Sequence, residues 1–155
     1  MNRRTILTLT IAAFMFLGQS AFAADPTITG TWELNVAKSK TTNPMPKSIT
    51  RTYEVTGNQE KMTATTVTAD GKSVPSSFTA SADGKDYPFQ DPNGDTIAIT
   101  KVDALTNSFV VKKAGKTTLT GTRTIAKDGK TMTIASKGTN AEGKPTEATM
   151  VYDRK

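Results

Sequence analysis

Two arginines within predicted strands are the residues of this chain best suited to bind a charged ligand. Arg51 alternates in phase with Ile49 and Tyr53, and Arg123 alternates in phase with Ile125. Both guanidinium groups are therefore predicted to face the apolar side of their strands. A guanidinium buried without a partner is costly, and its planar fork of donors matches a carboxylate or a phosphate. We expect Arg51 and Arg123 to bind the acidic head of an amphipathic ligand.

The acidic residues within the predicted strands offer these arginines no partner. Glu33, Glu54 and Glu147 all fall on the opposite, outward face. A second interpretation stays open, in which the arginines lie near a rim of the fold, where the guanidinium reaches water and only its stem packs. An Arg51→Ala, Arg123→Ala double variant separates the two, because only the first interpretation predicts a loss of fatty-acid binding.

The chain lacks the residue types that many catalytic and metal sites require. It contains no histidine and no cysteine, which excludes thiol nucleophiles, histidine-dependent triads and Cys/His zinc sites. Asp91-x-Asn93-x-Asp95 is similar to the start of a calcium loop, but Val102 occupies the twelfth position, where a glutamate belongs. We expect a plain turn there, no metal, no cofactor and no enzymatic activity.

Turn signals divide the chain into short strands. Threonine, a β-branched residue that favours strands, is frequent between Asp-Gly and Asn-Gly pairs, which are typical of tight hairpins. The four strongest pairs are Asp70-Gly71, Asp83-Gly84, Asn93-Gly94 and Asp128-Gly129. The segments between the turns predict strands over Thr29–Asn35, Ser48–Thr56, Lys61–Thr68, Ser73–Ala80, Tyr87–Phe89, Thr96–Val102, Ser108–Ala114, Thr117–Ile125, Thr131–Lys137 and Thr146–Asp153.

This series of hairpins predicts an all-β fold, an antiparallel up-and-down meander of about ten strands. Pairing of the first strand with the last removes both exposed edges, so we expect closure into a barrel. Small inward residues such as Ala64, Ser76 and Ala148 cannot fill a barrel of this width. The barrel either flattens into a sandwich or encloses a cavity, and we favour the cavity. Its predicted ligand-binding lining is Arg51, Tyr53, Phe109, Arg123, Met132, Met150 and Tyr152.

The first residues are typical of an export signal. Arg3 and Arg4 precede an apolar run that ends at Leu17, and Ala21-Phe22-Ala23 is a small-x-small cleavage site. We expect residues 1–23 to be removed and residues 24–155 to form one domain, in the periplasm or outside the cell. Removal of Arg3 and Arg4 lowers the formal charge from +6 to about +4. The sequence predicts neither nucleic-acid binding nor, after cleavage, a membrane span.

Both ends of the mature chain resemble one group of barrels. Gly30-Thr31-Trp32-Glu33-Leu34 resembles the opening strand of lipocalins and fatty-acid-binding proteins, together the calycins. Thr149-Met150-Val151-Tyr152-Asp153-Arg154 resembles the closing strand of the fatty-acid-binding group. The whole chain is similar to small exported lipocalin-like proteins of bacteria. The resemblance implies a lipocalin-like barrel with a structural plug at its closed end, formed by Gly30, Trp32 and Arg154.

The chain departs from the fatty-acid-binding group at two places. The arginine that holds a carboxylate in the last strand of that group is Met150 here, and Val36–Lys47 is too short for its helical lid. We expect a monomeric, non-enzymatic protein that binds a small apolar or amphipathic ligand, with an anionic, fatty-acid-like compound as one candidate. The alternative is an envelope interaction module or inhibitor, acting through Val36–Lys47 and Tyr87–Asp95 on a filled barrel.

Overall fold

A computed structural model describes residues 27–140 and 142–155. The predicted export signal, residues 1–23, lies outside the described residues. The strands are β1 (Gly30–Leu34), β2 (Lys40–Thr41), β3 (Ser48–Thr56), β4 (Gln59–Val67), β5 (Ser73–Ser81), β6 (Asp83–Asp91), β7 (Gly94–Lys101), β8 (Thr106–Lys113), β9 (Lys116–Ile125), β10 (Thr131–Thr139) and β11 (Pro145–Arg154). A 3₁₀ turn covers Val36–Lys38. In this described part of the chain, no helix is long and apolar enough to cross a membrane.

Ten of the strands close into one antiparallel barrel. β1 pairs with β3, each strand from β3 to β10 pairs with the next along the chain, and β11 pairs back onto β1. At the seam Trp32 lies opposite both Arg51 and Arg154. The short strand β2 adds to the edge of β11 beyond its pairing with β1. The predicted all-β, up-and-down barrel of ten strands is thereby confirmed.

Several details of the meander differ from the sequence prediction, and β6 runs over Asp83–Asp91 instead of the predicted Tyr87–Phe89. β2 was not predicted. β4 begins two residues early, because Gly57 with φ +59° and Asn58 reverse the chain within two residues and let Glu60 pair with Val55. Asp83-Gly84, predicted as a turn, lies inside β6, where Gly84 with φ +78° falls at a shift of register against β7. A glycine at positive φ inside a strand is typical of a bulge.

The alternation of inward and outward residues follows the sequence pattern. Ile49 and Tyr53 of β3 and Ile97 and Ile99 of β7 are buried in one core. Val55, predicted to share the inward face with Tyr53, is 46% exposed. It lies next to the last residue of β3, at the level of the β3–β4 turn, where the strand passes beyond the packed core.

The two ends of the barrel are built differently. The Trp32 end carries the start of β1, the β3–β4 turn and the β9–β10 turn. The opposite end carries Val36–Lys47, the β4–β5 turn and the β6–β7 turn. We call it the mouth end. Trp32 and Met132 are fully buried near the Trp32 end.

Candidate functional site

A cavity of about 220 Å³ lies inside the barrel. The cavity reaches the surface at the mouth end, where exposed Asn93 borders it. Its apolar lining comes from inward positions around the barrel: Ile49, Tyr53, Met62, Phe78, Phe89, Ile97, Ile99, Phe109, Val111, Leu119, Ile134, Ala148, Met150 and Tyr152. Its polar lining consists of Arg51, Asp91, Asn93, Asn107, Ser108, Arg123 and Ser136.

The structure places most of the predicted lining residues together on this cavity. They are Arg51, Tyr53, Phe109, Arg123, Met150 and Tyr152. Met132, which was also predicted to line it, lies elsewhere in the structure. Met132 is fully buried and pairs with Ile125 and Tyr152 in the packed core near the Trp32 end, outside the cavity lining.

Arg123 has an acidic partner inside the barrel. Its Nη1 and Nη2 donate to Oε1 and Oε2 of Glu60, each at 2.6 Å, and both residues are buried. Such a bidentate pair is a strong form of charge-assisted hydrogen bond. With the Asn107 amide turned to satisfy both of its neighbours, its oxygen accepts from Arg123 Nη2 at 2.9 Å. The predicted absence of a matching acid is therefore wrong for Arg123, whose charge is neutralised internally.

Burial and neighbouring groups act on the Arg123 guanidinium in opposite directions. Burial lowers its pKa, whereas the Tyr53 hydroxyl and the hydrogen bonds to Glu60 raise it. The net pKa lies above the ordinary arginine value, so Arg123 stays charged. Its guanidinium carbon is 5.1 Å from the centre of the Tyr53 ring, within the range of a cation–π contact.

Arg51 has a different environment. Its Nε donates to the Tyr152 hydroxyl at 3.2 Å, and its guanidinium carbon is 5.5 Å from the centre of that ring. Within residues 27–140 and 142–155 it forms no ion pair. Burial lowers the pKa of Arg51, but Tyr152 and Tyr53 together raise it by a larger amount. The net pKa therefore lies above the ordinary value. Arg51 is thus a permanent cation on a mostly apolar cavity.

The predicted plug residues meet at the Trp32 end. The Trp32 indole is fully buried and donates through Nε1 to the carbonyl of Ile28 at 2.8 Å. The Arg154 guanidinium carbon lies 4.2 Å from the centre of the Trp32 ring. Arg154 also donates to the carbonyls of Gly129 at 2.7 Å, Thr29 at 2.5 Å and Thr27. Each of the three guanidinium nitrogens thus donates to a backbone oxygen, and the guanidinium covers the ring.

The acidic turn at the mouth has the hydrogen bonds of an ordinary turn. Asp91 Oδ1 accepts from the backbone and side-chain nitrogens of Asn93 at 2.9 and 3.0 Å, and Asp95 Oδ2 accepts from the Ala114 nitrogen at 2.9 Å. In the described ranges of the chain, no group of three or more His, Cys, Asp or Glu side chains is placed to hold a metal ion.

No family model matches the chain, and no curated protein matches it in sequence. Two solved structures are similar to it in overall fold. A redesigned beta barrel, mFAP1, solved bound to DFHBI, is 14% identical with a TM-score of 0.38, covering 81% of this chain and 94% of that chain. The siderocalin Ex-FABP, described as functioning through dual ligand specificities, is 12% identical with a TM-score of 0.38. The match covers 82% of this chain and 73% of that chain. At these identities the likeness concerns the fold alone.

Proposed function

We propose that the protein is a non-enzymatic carrier that binds a compact amphipathic anion inside the barrel. The acidic group binds Arg51, and the apolar part lies against the cavity wall. The observation that carries this proposal is the state of Arg51, a cation on a mostly apolar cavity with the Tyr152 hydroxyl as its hydrogen-bond partner among the described residues. A guanidinium in such surroundings gains most from an anion that accepts two hydrogen bonds.

The size of the cavity limits which ligands fit inside the barrel. Its volume of about 220 Å³ is below the ~300–1,000 Å³ of typical drug-sized sites. A short-chain or single-ring acid therefore fits best. A long fatty acid extends through the mouth, with only its head and the first part of its chain enclosed.

Export belongs to the same proposal. The basic start, the apolar run and Ala21-Phe22-Ala23 support cleavage after residue 23 and a site of action in the periplasm or outside the cell. The mass of the protein recovered from its own envelope or medium tests this, because cleavage there gives a chain that begins at Ala24. An interaction role on a filled barrel is less well supported, since the barrel encloses a cavity.

Calorimetric titration with caproate, caprate and palmitate tests the binding proposal. Arg51→Met keeps an apolar stem and removes the charged guanidinium. We expect it to weaken carboxylate binding roughly ten- to a hundredfold, as for hydrogen bonds to charged groups. Lys61→Met is the matched control, because it removes one positive charge from an exposed position outside the barrel. Equal binding by wild type and Arg51→Met contradicts the proposal.

A further inference from the structure

Asp91 is a charged residue of the cavity besides Arg51 and Arg123, placed there by strand alternation. It is the last residue of β6, where half-buried Tyr87, Phe89 and Asp91 alternate with exposed residues. Phe89 and Asp91 both line the cavity, as does neighbouring Asn93. The Asp91 carboxylate therefore stands on the wall beside the mouth and on the same inward face as Phe89.

The carboxylate of Asp91 is only partly used by the protein. Its Oδ1 accepts from Asn93, while no hydrogen bond or ion pair occupies Oδ2 among the described residues. Other acids of this part of the barrel are engaged: Asp86 pairs with Lys112 at 2.7 Å, and Asp95 Oδ2 accepts from the Ala114 nitrogen. Asp91 thus presents a free carboxylate oxygen at the entrance of an otherwise largely apolar space.

The register of the sheet relates Asp91 to Arg51. Arg51 lies opposite Ala64, which lies opposite Ser76. Ser77 lies opposite Gln90, so continuing this register by one residue places Asp91 beside Ser76. The two charged residues are three strand spacings apart, about 14 Å along the curved wall. Both side chains turn inward, the Arg51 guanidinium toward Tyr152 of β11, and both line the same cavity.

We infer that the ligand is dipolar, with an acidic group on Arg51 and an amine or other cationic group on Asp91, joined by a short apolar chain. This inference rests on the proposed function and deepens it. A simple anion on Arg51 would be repelled by the Asp91 carboxylate across the cavity, whereas a dipolar ligand neutralises both. Unpaired charges on a weakly solvated site favour ligands of complementary charge and disfavour the others.

The test compares caproate, hexylamine and ε-aminocaproate, which share one chain and differ in their end groups. We expect wild type to bind ε-aminocaproate roughly tenfold tighter than caproate, the effect of one charge-assisted hydrogen bond. Asp91→Asn should abolish this preference and bind caproate at least as tightly as wild type. An asparagine side-chain oxygen at position 91 can still accept the hydrogen bonds from Asn93, so the turn is retained. The emission of buried Trp32 verifies that the variant folds.

Asp95→Asn is the matched control. It removes the same charge from the same turn, but Asp95 does not line the cavity and accepts from Ala114 instead. It should keep the preference for ε-aminocaproate. The inference is overturned if wild type binds caproate as tightly as ε-aminocaproate, or if Asp91→Asn keeps the preference. If neither acid binds wild type, the anion site on Arg51 fails as well, which distinguishes failure of the proposed function from failure of this inference alone.

Discussion

Glu60 and Arg123 stand on opposite walls of the barrel and meet in its interior, with both N···O distances at 2.6 Å. Their strands, β4 and β9, are five positions apart in either direction around the ring of ten. Arg123 borders the cavity on one side and a surface groove at the Trp32 end on the other. The ion pair is thus a crossbar that forms part of the cavity floor. It also leaves Arg51 as the cation of the cavity lining without an acidic partner among the described residues.

Removing one partner of this ion pair should destabilise the fold more than removing both. We expect Glu60→Gln or Arg123→Met alone to lower the free energy of unfolding by ~3–5 kcal/mol, because each leaves a buried charge unpaired. The double variant Glu60→Leu, Arg123→Met should recover much of the loss, since it leaves no charge behind. Urea unfolding followed by Trp32 emission measures both.

The exposed pair Lys137–Glu147 provides the matched control. It joins neighbouring strands at 3.0 Å, with side chains 76% and 63% exposed. Lys137→Met should cost less than about 1 kcal/mol, as for most surface ion pairs. Similar losses at the buried and the exposed pair would show that the crossbar does not stabilise the fold.

Alternation and turn chemistry made most of the fold predictable. Period-two alternation alone predicts that Arg51 and Tyr53 face inward. In the structure both residues line the cavity. Pairing of the first and last strands followed from the need to remove edges. Met132 obeys the same alternation, but period two does not tell packed core from cavity wall. That distinction depends on the depth of a residue along the barrel, which the pattern does not carry.

Glu60, the partner of Arg123, is the main interior residue that the sequence pattern does not predict. The predicted strand begins at Lys61, which places Glu60 in a turn and gives Arg123 no partner. In-phase spacing of Glu60 with the apolar residues Met62 and Ala64 was the available signal. It did not suffice, because the pairing joins residues on opposite walls, and such contacts depend on closure of the whole barrel.

The β4–β5 turn contains an acid with a shifted titration. A hydrogen bond from the Thr68 hydroxyl, together with Lys72, lowers the pKa of Asp70 from 3.8 to about 2. Because the folded-state value is depressed, the stabilising contribution is present above the ordinary pKa and is lost as the pH falls through about 2. We expect Thr68→Val to raise the pKa of Asp70 toward 3.8, measured by NMR titration of its carboxyl carbon. Lys72→Met should raise it less, and an unchanged pKa in Thr68→Val would contradict the assigned cause.

Gly121 makes room for an aromatic residue of the cavity wall. It lies opposite Phe109 across β8 and β9, and a Cβ placed on it would be 2.6 Å from Cζ of that ring and 2.3 Å from the Ala135 carbonyl oxygen. Gly121→Ala must therefore shift both the ring and the backbone. We expect a loss of ~1–3 kcal/mol in unfolding free energy, typical of overpacking. Thr122→Ala, at the exposed neighbouring position, should change the free energy of unfolding by less than about 0.5 kcal/mol. Equal losses in the two variants would contradict the inference that Gly121 leaves room for the Phe109 ring.

Gly30 allows Arg154 to reach the backbone oxygens around the Trp32 plug. Its φ is +127°, and a Cβ there would lie 2.8 Å from Arg154 Nη1. Gly30→Ala should therefore both strain β1 and displace the guanidinium from the indole, costing ~1–3 kcal/mol and shifting Trp32 emission to the red.

Gly115→Ala separates backbone strain from steric displacement at the plug. Gly115 also has a positive φ, +75°, but a Cβ there meets nothing within 4 Å. It should lose stability through the backbone alone and leave Trp32 emission unchanged. Arg154→Met, which keeps the stem and removes the cation, should reproduce the red shift of Gly30→Ala without its backbone strain. An unshifted spectrum in both Gly30→Ala and Arg154→Met would show that the arginine does not seal the indole from water, because each variant removes that cover by a different route.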